Sequence, residues 1–313
     1  MASAPTPRMT LVLSENWTMT GGRCDTRALV RWAREAEEAG FDAVMLSEHL
    51  VLGPDSGANG VMPNPREYAL PGNQDPETPW PNSLVLLSAI AAVTERIRLA
   101  AAAVVAPLRH PLLLAKELAT LDLLSEGRLV VQPTVSWSRD EYAALQVPFA
   151  RRGALLDEHL AAWRELWRPG PATFEGEHYA FRDVYLEPKP YRPGGPALWF
   201  GGETLHDAVL RRLVAYGHGF HPLGRPRPAE LEKLRAALTE AGRDPDGLEM
   251  IGGTRAVFPD TRSTADLGRA LESVPEQREQ GFTTFCIKPS QFTDDPAGVR
   301  DFCREVMRRV ATL

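Results

Sequence analysis

The chain has 313 residues, 43% of them hydrophobic, ample for a large core. A formal net charge of −6 gives a nucleic-acid or anionic-membrane partner no electrostatic support. Cys24, Cys286 and Cys303 are far apart and form no C-x-x-C pair, which argues against a disulfide framework or a cysteine metal site and fits a reducing cytoplasm.

The opening "MASAPTPRMT" lacks the apolar stretch of a secretory leader, and no apolar run reaches the roughly 18 residues of a membrane span. "MTLVLS" (9–14) reads as a strand. A helix near 26–40 follows, with Ala28, Leu29, Trp32, Ala33, Ala36 and Ala39 on one face. Gly40 closes it as a C-cap, and "FDAVMLSEH" (41–49) reads as a buried strand. A Pro-, Gly- and Asn-rich loop (52–81) leads to the helix "PNSLVLLSAIAAVTE" and the strand "RIRLAAAAVV". Then come a helix over 111–124, the strand "GRLVVQP" and a helix over 153–167; residues 168–196 read as irregular. The strands "ALWFGG", "GHGFHP", "LEMIGG" and "FTTFCIK" are each followed by a helix, at 205–216, 228–242, 264–280 and 295–312. Such alternation demands a parallel sheet. About eight strand–helix units in this length fit a closed (β/α)8 TIM barrel of the α/β class. The chain (1–313) reads as one domain, with proline-rich insertions at 52–81 and 187–196 on the C-terminal face.

Between Leu112 and Leu124 the only polar side chains are Lys116, Glu117, Thr120 and Asp122, and Leu84 to Val93 is apolar or small on most of its surface. A barrel helix normally shows charge on the side turned away from the strands. Two consecutive helices without it predict a second burial surface. A homodimer packed through 82–94 and 111–124 is the expectation; the competing cover is the 52–81 loop folded over them.

The segments "AGFDAVMLSEH", "SLVLLSAIAAVTERIRLA", "APLRHPLLLAKELATLDLLSEGRL", "DEYAALQVPFARRG" and "EPKPYRPGGPALWFGG" resemble, in order, the luciferase-like superfamily of flavin- and deazaflavin-dependent oxidoreductases. The resemblance runs from about residue 9 to 222. It implies a TIM barrel, a dimer through the second and third helices, and a reduced flavin-type cofactor at the C-terminal mouth. "SEHL" and "PLRHPLLLAKELATLD" are most similar to the branch that uses coenzyme F420, which passes hydride without activating oxygen. An arginine-rich composition, with four lysines among 35 basic residues, points the same way, although GC-rich codon usage is its plainer source. FMN serving an oxygen-dependent monooxygenase is the alternative.

His49 ends the second strand, where barrel chemistry belongs, and an imidazole shuttles protons near neutral pH. Similar deazaflavin enzymes place a histidine there, beside the reactive ring edge. Strand alternation turns the neighbouring Glu48 away from the barrel interior. "LAAAAVVAP" carries side chains small enough for a flat ring to approach. The resemblance implies a non-prolyl cis peptide at Ala102-Ala103 supporting that ring; alanines filling a narrow barrel are the plain alternative. "WFGGETLHD" sets Gly201 and Gly202 directly before a helix, where free amides bind phosphate, with Thr204 as a further donor and Glu203 turned away. A tight turn alone accounts for the same glycines.

Two segments depart from the family pattern. Where relatives carry a glycine-rich run, the fourth strand continues as "VVQPTVSWSRDEY". Pro133 stiffens the mouth there, Gln132 and Thr134 can hydrogen-bond the ring, and Trp137 can stack on ring or substrate. "GHGFHP" stands where relatives more often have an acidic residue and a tryptophan. The 52–81 loop has the length of a lid. Trp80, Tyr68 and Trp17 are candidate substrate-pocket walls. His218 and His221, three apart on a strand, face opposite sides, so no metal site is expected. From a different class, a glycoside hydrolase needs two carboxylates across a cleft; Asp140 and Glu141 are candidates, but no acid ends the seventh strand. A flavin-binding protein without catalysis is a third reading. The substrate is a small organic molecule that the sequence does not specify.

Overall fold

The computed structural model describes residues 6–313; residues 1–5, the start of the stretch read as having no leader, lie outside them. In chain order come β1 (Arg8–Val12), α1 (Thr26–Ala39), β2 (Ala43–Leu46), α2 (Ser83–Ala91), β3 (Arg98–Val105) and α3 (Pro111–Leu124). Next are β4 (Leu129–Thr134), α4 (Arg139–Ala144), α5 (Arg152–Leu166), β5 (Ala172–Glu175) and β6 (Ala180–Val184). β7 (Ala197–Phe200), α6 (Asp207–Tyr216), β8 (Gly219–Phe220), α7 (Pro228–Glu240) and β9 (Glu249–Gly253) follow. The chain finishes with α8 (Leu267–Leu271), α9 (Ser273–Glu279), β10 (Thr284–Ile287) and α10 (Val299–Val310). β1, β2, β3, β4, β7, β8, β9 and β10 close on themselves as a parallel barrel, the expected TIM-barrel architecture.

Side-chain alternation divides the buried residues into two cores. Val12, Met45, Ala100, Ala102, Val130, Trp199, Ile251 and Cys286 point into the barrel. Their neighbours Leu11, Val44, Leu99, Val131, Leu198 and Phe285 face the helices. The N-terminal end of the barrel is plugged by charge. Arg98 donates to Asp42 (2.8 Å from Nε) and through both terminal nitrogens to Glu249 (2.8 and 2.9 Å), which also accepts from Thr284 (2.6 Å) and pairs with Arg8 (3.0 Å). The guanidinium also lies over the Trp199 ring. Burial opposes the charge on Glu249, but Arg98, Thr284 and Arg8 together outweigh it and hold the carboxyl below its ordinary value.

The structure departs from the sequence reading in four local respects. Residues 172–184, read as irregular, contain an antiparallel hairpin of β5 and β6 outside the barrel. Its largely exposed strands carry no buried alternating face to betray them. The helix expected over 264–280 is broken into α8 and α9. Pro275 supplies the reason, since it has no N–H for the Leu271 carbonyl and its ring crowds that carbonyl. Helix α4 was not foreseen; Ser138 caps it by accepting from the Glu141 amide. Finally, α6 begins at Asp207, so residues 203–206 separate it from the glycine pair placed directly before it.

The outer faces of α2 and α3 leave Val85 70% and Leu113 65% exposed, with Leu124 at the end of α3 and Val93 just beyond α2 also open. The 52–81 loop does not cover them. It lies across the barrel mouth, with Asn64 donating to the Asp260 and Ser263 carbonyls, Arg66 paired with Asp294, and Lys288 donating to the Glu67 carbonyl.

Arg98→Met strands two acids at the base and is expected to cost about 3 kcal/mol near neutral pH. Glu249 has a depressed folded value, so its share of stability is present above the ordinary glutamate value of 4.5 and is lost as pH falls through the folded one. Urea unfolding of both proteins near neutrality and in acid checks this; a gap of constant size across pH would contradict it.

Candidate functional site

A cavity of about 650 Å³ opens at the C-terminal mouth of the barrel, a volume suited to a cofactor together with a small substrate. His49, Ala102, Ala103, Gln132, Thr134, Gly201, Gly202, Trp80 and Trp137 all line it, so most of the residues singled out in sequence meet there. Two do not. Thr204 is exposed and lies outside the lining, whereas Glu203, expected to turn away, borders the cavity. Trp17 is buried in the core and borders a separate recess behind the loop.

His49 leaves β2 with the inward parity of Met45 and is nearly buried. Its Nδ1 lies 3.3 Å from Glu141 Oε2, and the Gln74 side-chain nitrogen donates to its Nε2 at 3.3 Å. Trp80 and Trp137 meet the imidazole edge-on, with ring centroids 5.1 and 5.5 Å away. Glu141, on α4, is fully buried and also accepts from the Leu50 amide (2.7 Å) and the Ser136 hydroxyl (2.8 Å). Burial raises the cost of its charge, but the adjacent His49 imidazole and the hydrogen bonds from Leu50 and Ser136 outweigh that cost and keep the carboxyl below its ordinary value. The ionised Glu141 faces Nδ1 as a charge contact at 3.3 Å, outside hydrogen-bond geometry; it favours the tautomer that keeps the proton on Nδ1 and leaves Nε2 as an acceptor toward the cavity. Ser136 reaches Glu141 from a left-handed backbone conformation (φ 56°), a conformation non-glycine residues rarely adopt. Sequence inspection weighed Glu141 only as a glycosidase acid. Glu141 and Asp140 do not face each other across a cleft: Glu141 is spent on His49, and Asp140 accepts from the Asp55 amide. Glu48, expected to turn away, borders the cavity as well, but its buried carboxylate is engaged by Ser83, the Val105 amide and Arg109, from which it accepts.

The wall formed by β3 and β4 is built from small residues. The Ala102-Ala103 peptide is cis, at the position the resemblance implied. The pairing register shifts between Ala102 and Val104, and Pro133, which has no N–H to give a ladder, sits opposite that bulge. On the far side, a Cβ at Gly201 would stand 1.6 Å from the His221 carbonyl oxygen. Glycine is needed there by backbone packing alone. A Cβ at Gly202 would make only an ordinary contact, 3.7 Å from the Thr204 carbonyl oxygen. Arg225 and Arg255 border the same end of the cavity, and neither was singled out in sequence. His218 accepts from the Leu198 amide on the outside, while His221 enters the cavity from the other face of the strand, the opposition that alternation demanded. Among the described residues no cluster of His, Cys, Asp or Glu is arranged to hold a metal.

Residues 7–267 match the family model described as luciferase-like monooxygenase, and the chain belongs to that family. It is 40% identical over 226 residues to an uncharacterised protein from Mycobacterium tuberculosis, covering 70% of this chain and 76% of that one. Among solved structures it is similar to a riboflavin lyase with modified FMN and riboflavin (TM-score 0.74, 15% identity, 98% of this chain and 92% of that). It is also similar to an F420-dependent secondary alcohol dehydrogenase in complex with an F420–acetone adduct (TM-score 0.72, 16% identity, 98% and 99%). At these identities the structural likeness is one of fold.

Glu141→Leu removes the acceptor of two part-buried donors, the Leu50 amide and the Ser136 hydroxyl, and the charge beside His49; it is expected to destabilise the protein by about 3 kcal/mol, against about 1 kcal/mol for Glu141→Gln. Equilibrium urea unfolding measures both; a Leu variant as stable as the wild type would mean the carboxylate is not the hub described.

Proposed function

We propose that this protein is an oxidoreductase that binds a flavin-type cofactor, F420 in preference to FMN, and works on a small, uncharged organic substrate. The observation that carries this reading is a histidine, backed by a buried ionised glutamate, facing a cavity with one wall of small residues. The fit to a flat ring rests on that wall and on two polar atoms beside His49, Trp80 Nε1 and Gln74 Oε1, which are buried without a partner. Ala102, Ala103, Gln132 and Thr134 would hold the ring; Gly201 and Gly202, with Arg225 and Arg255, would hold its phosphate-bearing tail. Bound there, the cofactor supplies two-electron chemistry. His49 does the proton work: Nε2 accepts the proton of a substrate hydroxyl on oxidation, or returns it to a carbonyl oxygen on reduction, while Glu141 stabilises the imidazolium. Gln74 donates to the same lone pair, so a substrate hydroxyl must displace its amide. Trp80 and Trp137 flank the imidazole with apolar surface, which favours an uncharged substrate. A reduced FMN reacting with oxygen is the second reading, favoured by membership in the family of luciferase-like monooxygenases.

Fluorescence-monitored titration with F420 and with FMN tests the cofactor; micromolar binding of FMN alone would move the assignment to the second reading, and binding of neither would end both. His49→Ala is expected to keep cofactor affinity while turnover falls at least about 100-fold. Wild-type turnover in that variant would remove His49 from the chemistry.

The chain is also proposed to act in the cytoplasm as a homodimer through α2 and α3, whose outer faces expose Val85, Leu113 and Leu124, with Val93 just beyond α2. Light scattering at micromolar concentration is expected to give twice the 34.5 kDa chain mass, and Val85→Glu with Leu113→Glu the single mass. A wild-type protein of single mass would rule the dimer out.

A further inference from the structure

Three polar side chains meet in the cavity from strands distant in sequence: Gln132 on β4, His221 just beyond β8 and Cys286 on β10. His221 Nδ1 lies 2.7 Å from the Gln132 side-chain oxygen, and its Nε2 lies 3.9 Å from the Cys286 sulfur. An amide oxygen has no proton to give, so Nδ1 donates; a neutral imidazole then keeps Nε2 as an acceptor, facing the thiol. Burial, opposed by Glu249, pushes His221 down to about 4 and keeps it neutral; burial with Glu249 pushes Cys286 up to about 12 and keeps it a thiol. The order of donors and acceptors is therefore set along the row: S–H to Nε2, then Nδ1–H to the amide oxygen. This leaves the nitrogen of Gln132, not its oxygen, to the cavity. The imidazole is held on its other sides as well. The missing Cβ of Gly201 admits the His221 backbone, whose amide donates to the Phe200 carbonyl at 2.9 Å, and Trp199 meets the ring edge-on at 6.0 Å.

We infer that His221 is a positioning residue: it locks the Gln132 amide with its N–H2 toward the cavity, so that this wall donates to an electron-rich ring edge and favours the reduced, anionic form of a flavin-type cofactor. The inference rests on the cofactor reading above. A fixed neutral donor in a desolvated site stabilises negative charge without reorganising, whereas an amide free to rotate presents oxygen and nitrogen alike.

Titration of the whole protein with FMN and with F420, oxidised and reduced under anaerobic conditions, tests it. His221→Phe is expected to weaken binding of the reduced form about tenfold more than the oxidised form, which lowers the two-electron midpoint potential of the bound cofactor by about 30 mV. Gln132→Leu is expected to do the same, and the double variant no more than either alone, because the two side chains act as a unit. His221→Asn, which keeps an N–H near the Nδ1 position, is expected to restore most of the difference. Equal losses for both redox forms, or additive effects, overturn the inference. A readout without cofactor stands beside these: long-range 1H–15N spectra of the wild-type protein are expected to place the His221 proton on Nδ1. A proton on Nε2 overturns the lock even where a cofactor binds. A proton on Nδ1 in a protein that binds neither cofactor overturns the cofactor reading and, with it, the redox role given to Gln132.

Discussion

An eight-stranded barrel leaves an interior about one layer of side chains wide, and what fills each layer decides where space remains. Here the base is filled by Arg98, Glu249 and Thr284, with Trp199 packed above the guanidinium. The upper layer holds Ala102 and Gly253 in place of large side chains, and the cavity begins there. Charge at the closed end and small residues at the open end are one arrangement: the ion pairs satisfy polar groups that a dry barrel could not otherwise bury, and they leave the upper strands free of any packing duty.

The cavity is chemically two-sided. On the β2 side an ionised Glu141 sits behind His49, within apolar walls that strengthen every charge interaction they enclose. On the β4, β8 and β10 side burial keeps His221 and Cys286 uncharged, beside the neutral amide of Gln132. On the proposed function, proton transfer belongs to the first wall and ring recognition to the second. The 52–81 loop closes over the β2 side, and it is tied down by Arg66 to Asp294 and by Lys288 to the Glu67 carbonyl.

Much of the fold and part of the site were legible in the sequence, and the division follows physical range. Strand alternation placed His49 inward and His218 opposite His221, because a period of two acts between neighbours along one strand. The same alternation could not disclose the partners of His221, since Gln132 and Cys286 arrive from other strands, 89 and 65 residues away along the chain. Glu141 was misread for the same reason: as one acid near Asp140 it looked like a glycosidase carboxylate, and only the approach of α4 to the end of β2 makes it the partner of His49. Thr204 was assigned to the cavity on the assumption that α6 starts at once, which residues 203–206 defeat. Gly201 was given to a phosphate although the close approach of the His221 backbone already requires a glycine.

By itself, then, the sequence determined the barrel, the order of its elements, the apolar outer faces of α2 and α3 and the membership in a superfamily, all of which rest on periodicity and on local motifs. Tertiary structure alone decided which carboxylate backs His49, which residues escape the cavity and which wall stays neutral. Those outcomes depend on burial and on distances between strands remote in sequence, and such distances exist only once the barrel has closed.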